Sequence, residues 1–262
     1  MKPTISLIVA TYNWPEALKL CLLSIKRQTC LPIEVIIADD GSDMRTTMLI
    51  AEIQKNFPVS LVRIWHEDLG FRKSIILNKA IKKAVGTYIV QIDGDVILDP
   101  HFLEDHNVAA QPGFFIRGTR AHISKKRIPE IYRKEMLDFH FLSAGIINRF
   151  NAIRAPFLAF LVEKKRNNSN SVRGSNLAYW KADFMQVNGY NNDLMGWGHE
   201  DEELAARFIN NGIWKKSIKF KAVQYHISHE TSSRDREFMH SEVLQKTLRD
   251  KLKTCTNGVA QS

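Results

Sequence analysis

The sequence has 262 residues, 44% hydrophobic and 25% charged, a balance that excludes a disordered chain and supports a full core without covalent staples. The formal net charge of +9 is concentrated: residues 117–173 hold thirteen Lys and Arg against four acids, leaving the remainder neutral. Three scattered cysteines (Cys21, Cys30, Cys255) argue against a disulfide framework or zinc knuckle, and no apolar run nears the roughly 20 residues of a membrane span or resembles a cleavable signal, so a cytoplasmic location is expected.

In chain order, ISLIVATY reads as a buried strand, and EALKLCLLSIKRQ has helical apolar spacing after the start signal Asn13-Trp14-Pro15. VIIADDGS is a second strand ending in polar residues, followed by a helix over TTMLIAEIQKNF and a strand over VSLVRIWHE. Next come a helix over SIILNKAIKKAV, with Gly86 expected to close it, and a strand over TYIVQIDGD. Strands alternating with helices predict a parallel α/β sheet with ligands at the carboxyl ends of the strands. The basic segment also contains FHFLSAGII and APFLAFLVE, a combination that suits an anionic membrane surface or a phosphate-bearing acceptor. A solvated basic face over a buried helix is the plainer expectation. Nucleic acid is disfavoured, because no helix-turn-helix, RNP-like or zinc signature accompanies the charge. Later, RGSNLAYWKADF reads as a loop, strand and helix, Gly-Trp-Gly-His-Glu-Asp leads into the helix EDEELAARFINNG, and VQYHISHE ends a strand near two histidines.

At the predicted strand ends stand Thr11-Tyr12-Asn13, Asp39-Asp40-Gly41-Ser42, Glu67-Asp68 and Asp93-Gly94-Asp95. Neither G-x-G-x-x-G nor G-x-x-x-x-G-K-[ST] occurs, which excludes the dinucleotide fingerprint and the P-loop. Two aspartates at i and i+2, separated by a glycine, suit a hard divalent cation able to bridge diphosphate oxygens, although Asp-Gly-Asp is also ordinary turn chemistry. Glu200, Asp201, Glu202 and Glu203 exceed what a helix N-terminus needs for its dipole. His226 or His229 then becomes a plausible further metal ligand.

The segments ISLIVATYN, VIIADDGS, EDLGFRKSIILNKAI, YIVQIDGDVIL, RGSNLAYWK and GWGHEDEELAARF, in this order, resemble family 2 glycosyltransferases of the GT-A fold, in particular the bacterial chondroitin and heparosan polymerase branch, over about residues 4–230. The resemblance implies a mixed, mainly parallel sheet flanked by helices with a helical acceptor-side elaboration. One domain over 1–262 is expected, with a nucleotide-sugar half (1–100), an acceptor and catalytic half (101–233) and a C-terminal helix and tail (234–262). The resemblance further implies inverting transfer from a UDP-sugar held with Mn2+ or Mg2+ to a glycan or glycolipid acceptor, and together with the basic segment it leads to the expectation of a role in bacterial surface polysaccharide or lipopolysaccharide synthesis, peripheral on the inner face of the membrane.

Carried over by position, Thr11, Tyr12 and Asn13 line the nucleotide and Asp40 accepts from the base. Arg72 faces the diphosphate, Asp93 with Gly94 contacts the ribose or a metal-bound water, and Asp95 with His226 (His229 second) binds the metal. Asp201 is the general base, while Glu200 and Trp197 position the sugars. Leu77 departs from the branch, where Arg often precedes the residue matching Asn78. A single set of motifs without an internal repeat implies that one linkage is formed. The competing readings are a sugar nucleotidyltransferase, which needs a glycine-rich basic loop where ATYNWPEA stands, and a non-catalytic carbohydrate- or nucleic-acid-binding protein, which leaves the acids at the strand ends unexplained.

Overall fold

A computed structural model describes residues 2–229 and 235–262. Its first half runs β1 (Ile5–Thr11), α1 (Pro15–Lys26), β2 (Glu34–Asp39), α2 (Met44–Gln54), β3 (Ser60–Trp65), α3 (Lys73–Lys83) and β4 (Tyr88–Asp93). Pro15 at the first turn fixes the entry to α1, and its Ala17, Leu18, Leu20, Cys21, Leu22 and Ile25 are all buried. Every residue of β1 and β2 is buried, as two-sided coverage by helices demands. Each such Val, Leu or Ile contributes about 1.5–3 kcal/mol. These strands form the parallel series β3-β2-β1-β4. The order reverses beside β1, so Thr11 and Asp93 end the two strands at the switch point, where open α/β sheets bind ligands. Gly86 does not close α3, as the sequence suggested. The helix stops at Ala84, and a Cβ on Gly86 would lie 2.5 Å from Ser6 Oγ and 2.6 Å from its amide nitrogen, so close packing under β1 is what demands glycine.

The second half adds β5 (Val96–Leu98), α4 (Phe102–Ala109), β6 (Phe114–Arg117), β7 (Ala121–Ile123), α5 (Ile128–Lys134), β8 (Ile146–Ile147) and β9 (Lys164–Arg166). It continues with β10 (Asn176–Trp180), α6 (Lys181–Gln186), α7 (Glu200–Asn210), β11 (Trp214–Ser217), β12 (Gln224–Ile227) and α8 (Glu237–Arg249). β10 pairs antiparallel to β4 and extends the sheet to eight strands, β3-β2-β1-β4-β10-β6-β11-β9. A second sheet, β5-β12-β7-β8, lies beside it. The elaboration expected to be helical is therefore largely strands and short helices. FHFLSAGII and APFLAFLVE do not form a buried helix either: residues 156–161 make a 3-10 helix with Phe157 and Phe160 each more than 70% exposed.

α7 is anchored by Arg207, which is fully buried. Its guanidinium pairs with both carboxylate oxygens of Glu203 and donates to the carbonyls of Val187 and Gly189, while the Thr247 hydroxyl of α8 donates to Glu203. A buried pair with its polar atoms this fully engaged holds a helix in one position. Glu203 is thus committed to the fold.

Candidate active site

β12 brings the histidines to Asp95. Asp95 immediately precedes β5, β5 pairs antiparallel with β12, and the Ile227 amide donates to the Asp95 carbonyl. Nε2 of His226 and Nε2 of His229 each lie 3.2 Å from Asp95 Oδ2, with one ligand atom from each residue within 4.8 Å of the others. Burial alone would raise the Asp95 pKa, but hydrogen bonds and charge from the two imidazoles outweigh it and hold it below the usual range. Asp95 Oδ1 is buried without a hydrogen-bond partner. A carboxylate with a spare oxygen and two imidazoles form a donor set that fits Mn2+ or a similar divalent cation. The sequence ranked His226 above His229, whereas the fold presents both equally. His122 on β7 packs edge-on to His226 at 5.2 Å, and burial together with the neighbouring imidazole pushes its pKa down to about 4, so it faces the cluster neutral.

Glu200 and Asp201 open α7 and are both buried. Asp201 Oδ2 accepts the Gly174 amide at 2.6 Å, and Oδ1 accepts the Tyr190 hydroxyl at 2.9 Å. The Tyr190 hydroxyl also lies 3.0 Å from Gln91 Oε1, which accepts the Tyr179 hydroxyl at 3.1 Å, so its proton is shared between Gln91 and Asp201. A Cβ on Gly174 would come within 2.6 Å of Asp201 Oδ1, so only glycine lets the backbone approach this carboxylate. Burial raises the pKa of Asp201, and burial followed by the charge of Asp201 pushes Glu200 up to about 7. The other two acids of the run have structural partners: Glu202 accepts from the Ser171 amide and pairs with His199, and Glu203 holds Arg207.

Lys73, which the sequence reading passed over, links the two ends of the site. Its ammonium is 2.6 Å from Asp93 Oδ1. Burial would lower its pKa, but Asp93, Asp201 and Glu200 together hold it above the ordinary value. Its position as the first residue of α3, at the carboxyl edge of the sheet, was the available signal.

At the carboxyl end of β2, Asp40 is buried with Oδ1 2.7 Å from His66 Nε2, and its Oδ2 accepts the Arg72 amide at 2.9 Å; burial raises its pKa. His66 is a second residue the sequence reading missed. The Tyr12 hydroxyl donates to Asp68 at 2.8 Å and the side chain stays half exposed. Asn13 adopts φ 45° and caps the Asp43 amide through its side chain. The guanidinium of Arg72 donates to the Glu67 carbonyl, so Arg72 lies along the 67–70 loop. The Gly94 amide donates to the Ala10 carbonyl at 2.7 Å, and a Cβ there would sit 3.1 Å from Thr11 Oγ1, which makes its first role the close approach of β4 to β1. Trp197 carries the Arg173 guanidinium over its ring at 6.0 Å. Leu77 is core, and Asn78 ties α3 to the Tyr190 backbone and the Asn192 side chain.

Residues 6–159, more than half of the chain, match glycosyl transferase family 2, and the chain belongs to that family. Residues 155–230 match a family described as the N-terminal domain of galactosyltransferase. Among curated proteins, the validoxylamine A glucosyltransferase of Streptomyces hygroscopicus subsp. limoneus is 26% identical over 226 residues, covering 80% of this chain and 49% of the relative. The hyaluronan synthase of Pasteurella multocida is 24% identical over 248 residues, covering 82% and 24%. The chain thus spans half or less of these relatives' length. Among solved structures, Staphylococcus aureus TarS 1-349 in complex with UDP matches with a TM-score of 0.64 at 16% identity, covering 98% of this chain and 68% of that one. The mannosyltransferase PcManGT from Pyrobaculum calidifontis, in complex with GDP-Man and Mn2+, matches with a TM-score of 0.56 at 20% identity, covering 86% and 57%. The fold is that of the GT-A glycosyltransferases.

Proposed function

We propose that this chain transfers a sugar from a UDP-sugar to an acceptor hydroxyl with inversion at C1, in the assembly of a bacterial surface polysaccharide or lipopolysaccharide. The observation that carries this reading is the pairing, at one edge of the fold, of the Asp95, His226 and His229 cluster with the Asp201 and Glu200 carboxylates across Lys73 and Asp93. The first cluster would hold Mn2+ or Mg2+, which supplies charge neutralisation for a departing diphosphate. Lys73 adds a fixed cation on the same side, and Asp201 takes the proton of the incoming hydroxyl. Thr11, Tyr12, Asn13 and Asp40 would receive the nucleotide within residues 1–100, while Trp197 and Glu200 would position the sugars in the 101–233 half. The UDP of the TarS complex and the polymer made by the hyaluronan synthase relative support the donor class and the pathway. UDP release should appear with one member of a panel of UDP-sugars when Mn2+ is present and disappear in EDTA; no release with any donor, or release indifferent to EDTA, refutes the reading.

The acceptor is proposed to be presented at a membrane surface. Among the described residues no helix is long and apolar enough to cross a membrane. Phe150, Phe157, Phe160 and Leu161 are nevertheless 65–74% exposed, and the Lys219 ammonium lies 6.0 Å from the Phe150 ring. Apolar wedges within a basic rim suit the interface of an anionic leaflet. The protein should co-sediment with phosphatidylglycerol vesicles at low salt and dissociate as salt rises through roughly 0.15–0.5 M. Phe157→Ser/Phe160→Ser should weaken that binding at all salt concentrations, and equal binding to neutral vesicles refutes the proposal.

A further inference from the structure

The register of the outer strands gathers cations on one face. β9 and β11 pair Arg166 with Lys215 and Lys164 with Ser217, while β11 and β6 pair Ser217 with Arg117. Because side chains alternate between faces and directly paired residues share one, Arg117, Lys164, Arg166 and Lys215 all stand on the same side. They line a cavity of about 260 Å³ together with Asn168, Asn170, Ser171 and Ser217. The lining contains no acid, and none of the four cations forms an ion pair among the described residues. Like charges placed opposite each other in a sheet are destabilising.

On the reverse face the same strands do balance their charges: Lys216 lies 3.4 Å from Glu163, and Lys165 sits over the Phe114 ring at 4.6 Å. The unbalanced face is also preorganised. Lys215 is 4% exposed and donates to Asn168 Oδ1 at 2.8 Å and the Asn170 carbonyl at 2.6 Å, which leaves its third proton for a ligand. The Arg117 Nε is fixed on the Ser171 carbonyl at 3.0 Å, leaving the terminal guanidinium nitrogens for a ligand. Burial, then the charges of Arg117 and Arg166, pushes the Lys215 ammonium down to about 8 against the opposing charge of Glu202.

We propose that this cavity is a subsite for a phosphate group carried by the acceptor glycan. It takes several positive charges to match a phosphate dianion, and guanidinium forks match its oxygens. One backbone loop joins the cavity to the base: Asn168 and Asn170 hold Lys215, the Ser171 amide donates to Glu202 of α7, and the Gly174 amide donates to Asp201. A phosphate seated here thus lies on the acceptor side of the transfer site. The inference rests on the glycosyltransferase reading only for the identity of the molecule that bears the phosphate.

The test is calorimetric titration of the full chain with inorganic phosphate in EDTA, with and without saturating UDP. Wild-type protein should bind phosphate saturably in both cases, and Arg117→Gln/Arg166→Gln should weaken it by at least about tenfold with UDP affinity unchanged. In phosphate-free buffer the double variant should be at least as thermostable as wild type, because repulsion has been removed; only wild type should gain Tm from phosphate. Unchanged phosphate affinity in the variant, phosphate displaced by UDP, or a variant less stable without phosphate overturns the proposal. Phosphatidylcholine vesicles containing phosphatidic acid separate the sources: failure to displace bound phosphate supports a glycan phosphate, and displacement overturns it in favour of a lipid headgroup. Should UDP fail to bind even with Mn2+ in place of EDTA, the donor reading falls, and the phosphate titration without UDP still decides this one.

Discussion

Asp201→Asn should lower kcat by at least about 10²-fold with donor affinity nearly unchanged. A positioned carboxylate base contributes typically 10²- to 10⁴-fold, and this one is held on both oxygens, by the Gly174 amide and the Tyr190 hydroxyl. Asparagine fits the same cradle. Its carbonyl can accept the Gly174 amide and its NH2 can face the Tyr190 oxygen, whose proton then turns to Gln91. The substitution therefore removes charge and basicity while sparing the fold, which circular dichroism and Tm would check. Burial raises the pKa of both Asp201 and Glu200. Because a base works only when ionised, kcat of the wild type should decline on the acid side at a pH above the ordinary aspartate range of about 3.9. A variant with near-normal kcat makes Asp201 a bystander. Loss of UDP-sugar binding in step with rate makes it part of the donor site.

The second large effect belongs to Asp95. Asp95→Ala should abolish detectable transfer and weaken donor binding, with the fold intact, since the side chain sits at a strand end with one oxygen unpartnered and contributes no apolar packing. His226→Ala and His229→Ala should each raise the Mn2+ concentration needed for half-maximal activity by at least about tenfold, because both imidazoles lie equally close to the carboxylate. Binding of Mn2+ itself, followed by water-proton relaxation without donor or acceptor, should fall in all three variants. Full activity of Asp95→Ala in EDTA removes the metal from this site. A histidine variant with an unshifted Mn2+ titration removes that histidine alone.

The sequence by itself determined the alternation of β1, α1, β2, α2, β3, α3 and β4, since a continuous apolar strand and a 3.6-residue stripe are local patterns set by how each element is buried. It also determined that the acids would stand at the carboxyl ends of those strands, because chain order and parallel pairing leave them no other place. What it could not determine was any choice that depends on contacts between distant segments. His226 stood ahead of His229 by resemblance alone, and only the pairing of β12 with β5 set both against Asp95. The run of four acids reads as one feature, yet the fold divides it: Glu203 goes to a buried Arg207 and Glu202 to Ser171, while Asp201 is held by Gly174 from a loop 27 residues away. Lys73 looked like a surface lysine on an amphipathic helix and became the cation between Asp93 and Asp201 only when α3 packed over the sheet. The basic segment showed its charge but not its arrangement, because which cations share a face depends on the register of β9, β11 and β6, and a one-residue slip would send alternate side chains to the other side.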